Sequence, residues 1–438
     1  MNSKIVLNRN GYVHEIFAGD LMTIIIKNGT VIDGTGKEPI TNNIIRIEDS
    51  KIVEMITKGE NSNINLIIDP ETELIDASGK IIMPGLIDAH LHLLGIRSMQ
   101  PVQWNLDKPA LRAARATADL KKLIEAGFTS VRCAGSDVSV YLKKAIIEGT
   151  ILGPRIVAAN RIISQTGGPG DTHELPLEWA MDLNAFGRIA DGVDDCRRAA
   201  REQIREGADV IKICSTGGVL SKADSPTNAQ LIEDEIAAIA IEAHRVGIKV
   251  MAHAHNPEGI QNAIRNGADT IEHGIFLNDE AISLMLQNNT IIVPTLAISD
   301  AINKKGVEGG VPDYGLQKVK AIYEEHIKSI KQAYQKGVKI ALGTDFCGPD
   351  LIPHGENAIE LELLVNKIGM APMEAIIAAT KVGSEALGLE EDIGTLEKGK
   401  KADLLIVNGN PLENIKILQN KNNLLIVMKD GQILVDRR

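Results

Sequence analysis

Two hydrophobic rhythms run along the chain. Near both ends, short apolar runs are broken every few residues by Gly, Asn and Asp. In the middle, apolar strand-like runs take turns with segments of helical period. The first 20 residues read as an irregular or helical lead-in. LMTIIIKNGTVIDGTG (21–36) reads as two strands around Asn28-Gly29, a hairpin signal. NNIIRIEDSKIVEMI (42–56) adds two more around Asp49-Ser50, and 66–85 adds others with turns at Asp69-Pro70 and Gly79-Lys80. No long helical pattern interrupts these runs, so they predict a small β-sheet or sandwich.

The period changes at Leu86. Segments 110–127, 138–150, 193–208, 229–247, 258–268, 279–290 and 316–337 carry helical periodicity. Between them, the runs 86–90, 129–135, 154–160, 209–215, 248–255, 269–274, 291–295 and 338–345 read as strands. Eight strands alternating with helical sequence predict a parallel sheet with helical crossovers, closed as a (β/α)8 TIM-like barrel. From residue 393 to 437 the strand–turn style returns, with a hairpin signal at Lys429-Asp430-Gly431. The expected organisation is a barrel over 83–391, flanked by one small β-sandwich built from 1–82 and 392–438.

Composition narrows the function. Of 438 residues, 44% are apolar and 24% charged, ordinary for a globular protein, while aromatics are only 3%, so the core must be aliphatic. The net charge is -11 with no basic block, which argues against a nucleic-acid partner. Cys133, Cys196, Cys214 and Cys347 are widely spaced, with no C-x-x-C, and are expected as free thiols. No apolar run reaches the length of a signal peptide or a membrane span, so a cytoplasmic protein is expected.

The candidate chemistry lies where polar residues end apolar strands. Asp88, His90 and His92 close the first, Lys212 sits in the fourth, His253 and His255 close the fifth, His273 the sixth and Asp345 the eighth. In a barrel these ends form one rim. His90 and His92 share strand parity and can grip one divalent ion, and imidazole suits zinc. Lys212 either reaches the rim or an acid partner, or reacts as a neutral amine with CO₂ to give a bridging carbamate. Asp345 reads as a metal ligand that also moves protons.

With these residues in place, the chain resembles the metal-dependent amidohydrolase superfamily. The resemblance is carried by PGLIDAHLH (84–92), Lys212, His253 in AHAH, His273 in IEHG, Asp345 in GTD and GTLEKGKKADLLIVNGNPL (394–412), and it spans the chain after residue 20. It implies two divalent ions, zinc expected, with His90, His92 and Asp345 on the more buried one. His253 and His273 would hold the more exposed one, and a carboxylated Lys212 would bridge them. Alignment favours His253 over His255 as ligand. His255 is then left to bind substrate, stabilise an oxyanion, or support the site from behind.

ISQTGGPGD (163–171), STGGVLS (215–221), 228–247 and TIEHGIFLN (270–278) resemble the branch of prolidases and Xaa-Arg/Lys carboxypeptidases, which is related to imidazolonepropionases. That implies hydrolysis of Xaa-Pro, Xaa-Arg/Lys or N-acyl amino acids by metal-activated water. Two departures bear on substrate. Pro169-Gly170-Asp171 stands where His-Gly-Asp is common, with His173 two residues later, and a tyrosine often found near Leu231 is absent. His255 or His173 is the expected oxyanion donor. Arg132, Arg161 and Lys222 are candidates for the substrate carboxylate, His354 for the pocket lining, and Trp104 for an apolar wall. His14, His244 and His326 read as helix or surface residues. Alternatives within the same fold are hydrolysis of aryl amides, carbamates, ureas or cyclic amides, and deamination. A non-catalytic binding module would be expected to have lost ligands. The expected partners are a small-molecule substrate and further copies of the chain, with no membrane.

Overall fold

A computed structural model describes residues 23–41, 43–57, 72–183 and 186–438, together with the strands Lys4–Leu7 and Val13–Ile16. The lead-in expected to be irregular or helical holds these two strands as an antiparallel pair. Both are rich in the β-branched residues that favour strand. The turn expected at Asp69-Pro70 lies outside the described residues, as does the side chain of His14.

Both chain ends build two packed sheets. One runs Lys51–Thr57, Asn43–Glu48, Thr23–Lys27, Glu73–Asp76, and the other runs Gln432–Asp436, Leu424–Lys429, Leu404–Val407, Ile81–Pro84, Thr30–Val31. Antiparallel pairing of Leu404–Val407 with Ile81–Pro84 joins the ends. Ile24, Ile26, Ile45 and Ile47 face Ile82, Leu404, Ile406 and Ile426 in one shared core, each set at the period of two that a strand imposes. The Asp49 and Asp430 turns join antiparallel strands as hairpins. Asn28-Gly29 does not, because its flanking strands belong to different sheets. Asn28 takes a left-handed φ of 66° at this corner, and a Cβ on Gly29 would lie 2.5 Å from Ile82 Cδ1.

The middle of the chain is an α/β fold of the TIM-barrel kind. Leu86–Leu91, Phe128–Cys133 and Arg155–Ala158 pair in parallel, as do Val210–Cys214, Lys249–Ala254, Thr270–His273 and Ile291–Val293. Between the two groups, Asp209 N donates to Ala158 O at 2.8 Å, and Ile162–Ser164 pairs beside Val210–Cys214. The expected strand 338–345 is mostly irregular, with only a bridge from Ile340 to Ile292. Its backbone nevertheless bonds on both sides: Ala341 N to Ile292 O at 2.9 Å, and Leu342 O with Ala89 N at 2.8 Å.

The seven expected helices are present, as Pro109–Glu125, Ser139–Ile147, Val193–Glu206, Glu233–Arg245, Pro257–Arg265, Asp279–Asn288 and Asp313–Gln335. Val193–Glu206 shows why they form. It opens on Asp194 and Asp195, which suit the positive end of the helix dipole. It buries Cys196, Ala199, Ala200 and Gln203 along one stripe and stops at left-handed Gly207. All four cysteines are buried free thiols. Among the described residues, no helix is long and apolar enough to cross a membrane.

At the lower, N-terminal end of the strands, Arg155 ties the two layers. Its guanidinium meets Asp403 at 2.6 Å and Asp430 at 2.5 Å, both from the C-terminal sheet, and Ser130 Oγ at 2.8 Å. Removing it leaves Asp403 buried without its cation, a change that costs about 3–5 kcal/mol in comparable pairs. The Arg155→Ala variant is expected to melt several degrees lower in thermal denaturation. Its kcat at 25 °C should match wild type, because the strands' upper ends are untouched.

Candidate metal centre and substrate cleft

At the C-terminal strand ends, His90, His92, Lys212, His253, His255, His273 and Asp345 line one cleft. The imidazole centroids lie 5.5 Å apart for His90–His92, 5.1 Å for His90–His273, 4.7 Å for His253–His273 and 4.3 Å for His253–His255. Asp345 Oδ1 sits 3.0 Å from His92 Nε2 and 3.5 Å from His90 Nε2, and these three side chains form a metal-binding group.

Local backbone irregularities aim these groups. Between the pairs Asp88–Val131 and Leu91–Cys133, Ala89 and His90 of the first strand oppose the single Arg132 of the second, a bulge that interrupts alternation where His90 enters the site. His273, Thr295 and Asp345 have φ of 72°, 53° and 58°. Left-handed backbone at three non-glycine residues, one of them β-branched, is strain concentrated at the site.

The hydrogen bonds decide which ring nitrogens are available. His92 Nδ1 lies 2.9 Å from Gly135 O, an acceptor only, so Nδ1 carries the proton. His90 Nδ1 meets the Glu272 carboxylate at 2.5 Å. Both Nε2 atoms therefore turn lone pairs toward the Asp345 carboxylate, an arrangement that needs a cation between them. His253 donates Nε2–H to Gly217 O at 3.1 Å, which leaves Nδ1 unprotonated. His273 Nδ1 meets Thr295 Oγ1 at 2.7 Å. Each of these four rings has one nitrogen tied to an oxygen outside the His90–His92–Asp345 group, the outer-shell pattern of a ring that offers its other nitrogen to a metal. His255 differs: both its nitrogens are buried and unbonded.

Burial keeps the His92, His253, His255 and His273 rings neutral. It brings His253 down to about 3, helped by the Lys212 charge, and holds His92, His255 and His273 below the ordinary imidazole range. Burial also lowers Lys212, which makes no hydrogen bond among the described residues.

Several expected substrate contacts lie elsewhere. Arg132 is fully buried below the site, donating to Ala89 O, Thr270 Oγ1, Ala386 O and Glu272 Oε1, and does not line the cleft. Arg161 follows Asn160, which takes a left-handed φ of 59°; its backbone N donates to Gln203 Oε1 and its guanidinium lies 4.0 Å from Glu206, both on the helix Val193–Glu206, and it does not line the cleft. His354 is buried behind His92, against its carbonyl at 3.1 Å, and is not part of the lining. His173 does line the cleft, but both its nitrogens are engaged. Nδ1 accepts from Ala223 N at 2.9 Å and Nε2 donates to Gly168 O at 3.1 Å, so it braces two loops and has no proton left for an oxyanion.

Lys222 lines the mouth, exposed, on a loop that Lys318 pins through the carbonyls of Gly218, Ser221 and Asp224. Trp104 lines an apolar wall with Leu94, Phe186, Leu220, Ile298 and Val319.

Sequence reasoning missed several supports. His326, expected as a helix or surface residue, lies on the helix Asp313–Gln335 with its side chain buried on the cleft wall, donating to His273 O at 2.9 Å. Asp88 accepts from His90 N, Thr344 Oγ1 and Asn357 Nδ2, stapling the first strand to the segment that carries Asp345, and burial lifts its carboxyl to about 6. Glu272 and Thr295 orient His90 and His273. The only sequence signal for Glu272 was a charge inside the apolar run before His273.

Comparisons with known proteins agree with this geometry. The amidohydrolase family model matches residues 81–434, and the chain belongs to that family. It is 34% identical to ochratoxinase of Aspergillus niger over 429 residues, covering 93% of this chain and 86% of that protein. Among solved structures, a prolidase complexed with N-methylphosphonate-L-proline matches with TM-score 0.87 and 33% identity, covering 95% of this chain and 100% of the other. A Xaa-Pro dipeptidase with methionine bound in its active site matches with TM-score 0.83 and 34% identity, covering 94% and 99%. The protein is a metal-dependent amidohydrolase of the prolidase-like branch, acting on C–N bonds.

His326 and His354 give a pH prediction. Burial depresses both to about 4, against 6.5 in an unfolded chain. Between those values the unfolded state binds the extra protons, so stability is full above pH 6.5 and declines as pH falls toward 4. Each contributes a slope of up to about 1.4 kcal/mol per pH unit. The urea midpoint of the metal-free protein is expected to be flat from pH 8 to 7 and to fall steadily from 6.5 to 4. A flat profile below 6.5 refutes the assignment.

Proposed function

We propose that the protein hydrolyses amide bonds whose leaving amine carries a carboxylate, as in Xaa-Pro, Xaa-Arg/Lys and other dipeptides or N-acyl amino acids. The carrying observation is that Lys222 is the one cation besides Lys212 among the cleft-lining residues. It stands at the mouth, where the far end of a substrate seated on the histidines would lie. Asp171 and Glu174 line the same region and suit a free amine or a basic side chain.

The donor set fits two divalent ions, zinc first among them. His90, His92 and Asp345 would hold the inner ion, His253 and His273 the outer, with a carboxylated Lys212 between them. Bound there, the ions supply Lewis-acid polarisation of the scissile carbonyl and a water of lowered pKa. A neutral Lys212 Nζ bonds the carbon of CO₂ and releases one proton, giving the carbamate. Burial, which lowers Lys212, favours that neutral amine. Asp345 takes the proton of the attacking water and returns it to the amide nitrogen as the C–N bond breaks. His255, free on both nitrogens, donates a hydrogen bond to the carbonyl oxygen as negative charge gathers there. Lys222 holds the carboxylate. The same reading closes the eight-unit barrel through 338–345 and divides the chain near residues 82 and 391.

The apolar wall of Trp104, Phe186, Leu220, Ile298 and Val319 favours a second reading, hydrolysis of neutral aryl amides, carbamates or ureas. Rates on N-acyl amino acids and dipeptides, compared with matched amides lacking the carboxylate, separate the two. The first reading expects at least about 10-fold higher kcat/KM with the carboxylate. Lys222→Ala should raise KM about 10-fold on those substrates at near-constant kcat. Equal rates on both classes establish the second reading instead.

For the shuttle, Asp345→Asn should lower kcat by about 10²–10⁴-fold. Elemental analysis of the same preparation reports whether the ions are retained. Full metal content with unchanged turnover overturns the shuttle.

A further inference from the structure

Glu272 is not in the ligand group, yet it controls a ligand. It is fully buried one residue before His273, and its Oε2 lies 2.5 Å from His90 Nδ1. Its Oε1 accepts from Arg132 Nη2 at 2.9 Å and from Thr270 Oγ1 at 2.5 Å. Arg132 and Thr270 are themselves fully buried, and Arg132 Nη1 also reaches Thr270 Oγ1 at 3.1 Å. Every oxygen of this carboxylate is held, and its charge is matched by one guanidinium.

The other rings have neutral partners: a backbone carbonyl for His92, a backbone carbonyl for His253 and a hydroxyl for His273. His90 alone has an anion. A buried carboxylate on Nδ1–H locks the tautomer more firmly than a neutral acceptor and leaves Nε2 richer in electrons, hence a stronger donor to a cation.

We propose that Glu272, held by Arg132 and Thr270, is a positioning residue that fixes His90 with Nδ1–H toward its carboxylate and Nε2 toward the ion, making the His90–His92–Asp345 position the tighter metal site. The proposal rests on His90 as a metal ligand. It makes Arg132, a candidate substrate contact by sequence, part of the metal site's support.

The test uses metal-stripped full-length protein titrated with Zn²⁺ against a chromophoric chelator, and with Co²⁺ followed by visible absorption. For Glu272→Gln, the tightest equivalent is expected to weaken by about 10–100-fold. The first-equivalent Co²⁺ spectrum should change while the second equivalent binds as in wild type. Because glutamine leaves Arg132 without its anion, the double variant Glu272→Gln/Arg132→Met keeps the interior neutral, and the same loss is expected there. Either folded variant binding its first ion with wild-type affinity and spectrum overturns the proposal.

Wild-type protein gives a readout independent of how the variants fold. In zinc-loaded, histidine-¹⁵N-labelled protein, His90 should show a protonated Nδ1 with a far-downfield proton. A His90 ring protonated on Nε2 overturns the proposal. If wild type binds no divalent ion at all, the metal reading fails instead, so the two failures are distinct.

Discussion

A neutral imidazole carries one proton, and the nitrogen that carries it decides what the other nitrogen can do. The upper end of this barrel-like fold is organised around that constraint. Gly135 O, Gly217 O, Thr295 Oγ1 and the Glu272 carboxylate each take one nitrogen of a different histidine. The same bonds tie down the loops after the second, fourth and seventh strands, since those acceptors lie on or beside them. Ring orientation and loop position are therefore one network. A ring that turned would free a loop, and a loop that moved would release a proton position.

Burying so many ionisable groups is tolerated because almost every one is neutral or matched. Burial discourages protonation of His92, His253, His255 and His273, and the Glu272 carboxylate below them faces a guanidinium. For Glu272, burial alone would raise the carboxyl, yet Arg132 and the His90 hydrogen bond bring it down to about 2. What stays unmatched is informative. Lone pairs of His90 and His92 facing Asp345, an amine without a partner at Lys212 and two unbonded nitrogens on His255 point into the same space. The left-handed residues His273, Thr295 and Asp345 stand at its edge, each a conformation worth about 1–3 kcal/mol of strain that the surrounding bonds hold in place.

The strand-end positions of these groups were legible in the sequence because period-two apolar runs announce strands, and a polar residue closing such a run stands out. Partners distant along the chain were not. Glu272 and His90 are 182 residues apart, so nothing local announces their bond. Arg132 looked like a rim cation because periodicity shows that a residue is on a strand, not how deep in the interior its side chain ends. Arg161 differs for another reason: the chain leaves its strand at Ala158 and turns at left-handed Asn160, and a single left-handed asparagine leaves little trace in hydrophobic pattern. The Asn28-Gly29 corner is similar. The dipeptide reports a tight turn, but whether the chain re-enters the same sheet depends on strands that arrive much later.

The two ends of the strands carry different demands. At the lower end, Arg155, Asp403 and Asp430 hold the C-terminal sheet against the strands, where rigidity is the only requirement. At the upper end, a site must be rigid around a metal and accessible to substrate. The loop bearing Lys222 meets both needs by separating backbone from side chain. Lys318 gathers three of its carbonyls at 2.7–3.1 Å and His173 accepts the Ala223 amide, so the backbone is fixed. The Lys222 ammonium projects from that pinned frame on a long, exposed stem. On the proposed reading, a fixed backbone with a long side chain at its tip lets the ammonium meet a substrate carboxylate over a range of positions. On that reading, such a device sets less of the substrate's shape than an arginine fork would, which leaves selection to the apolar wall of the same cleft.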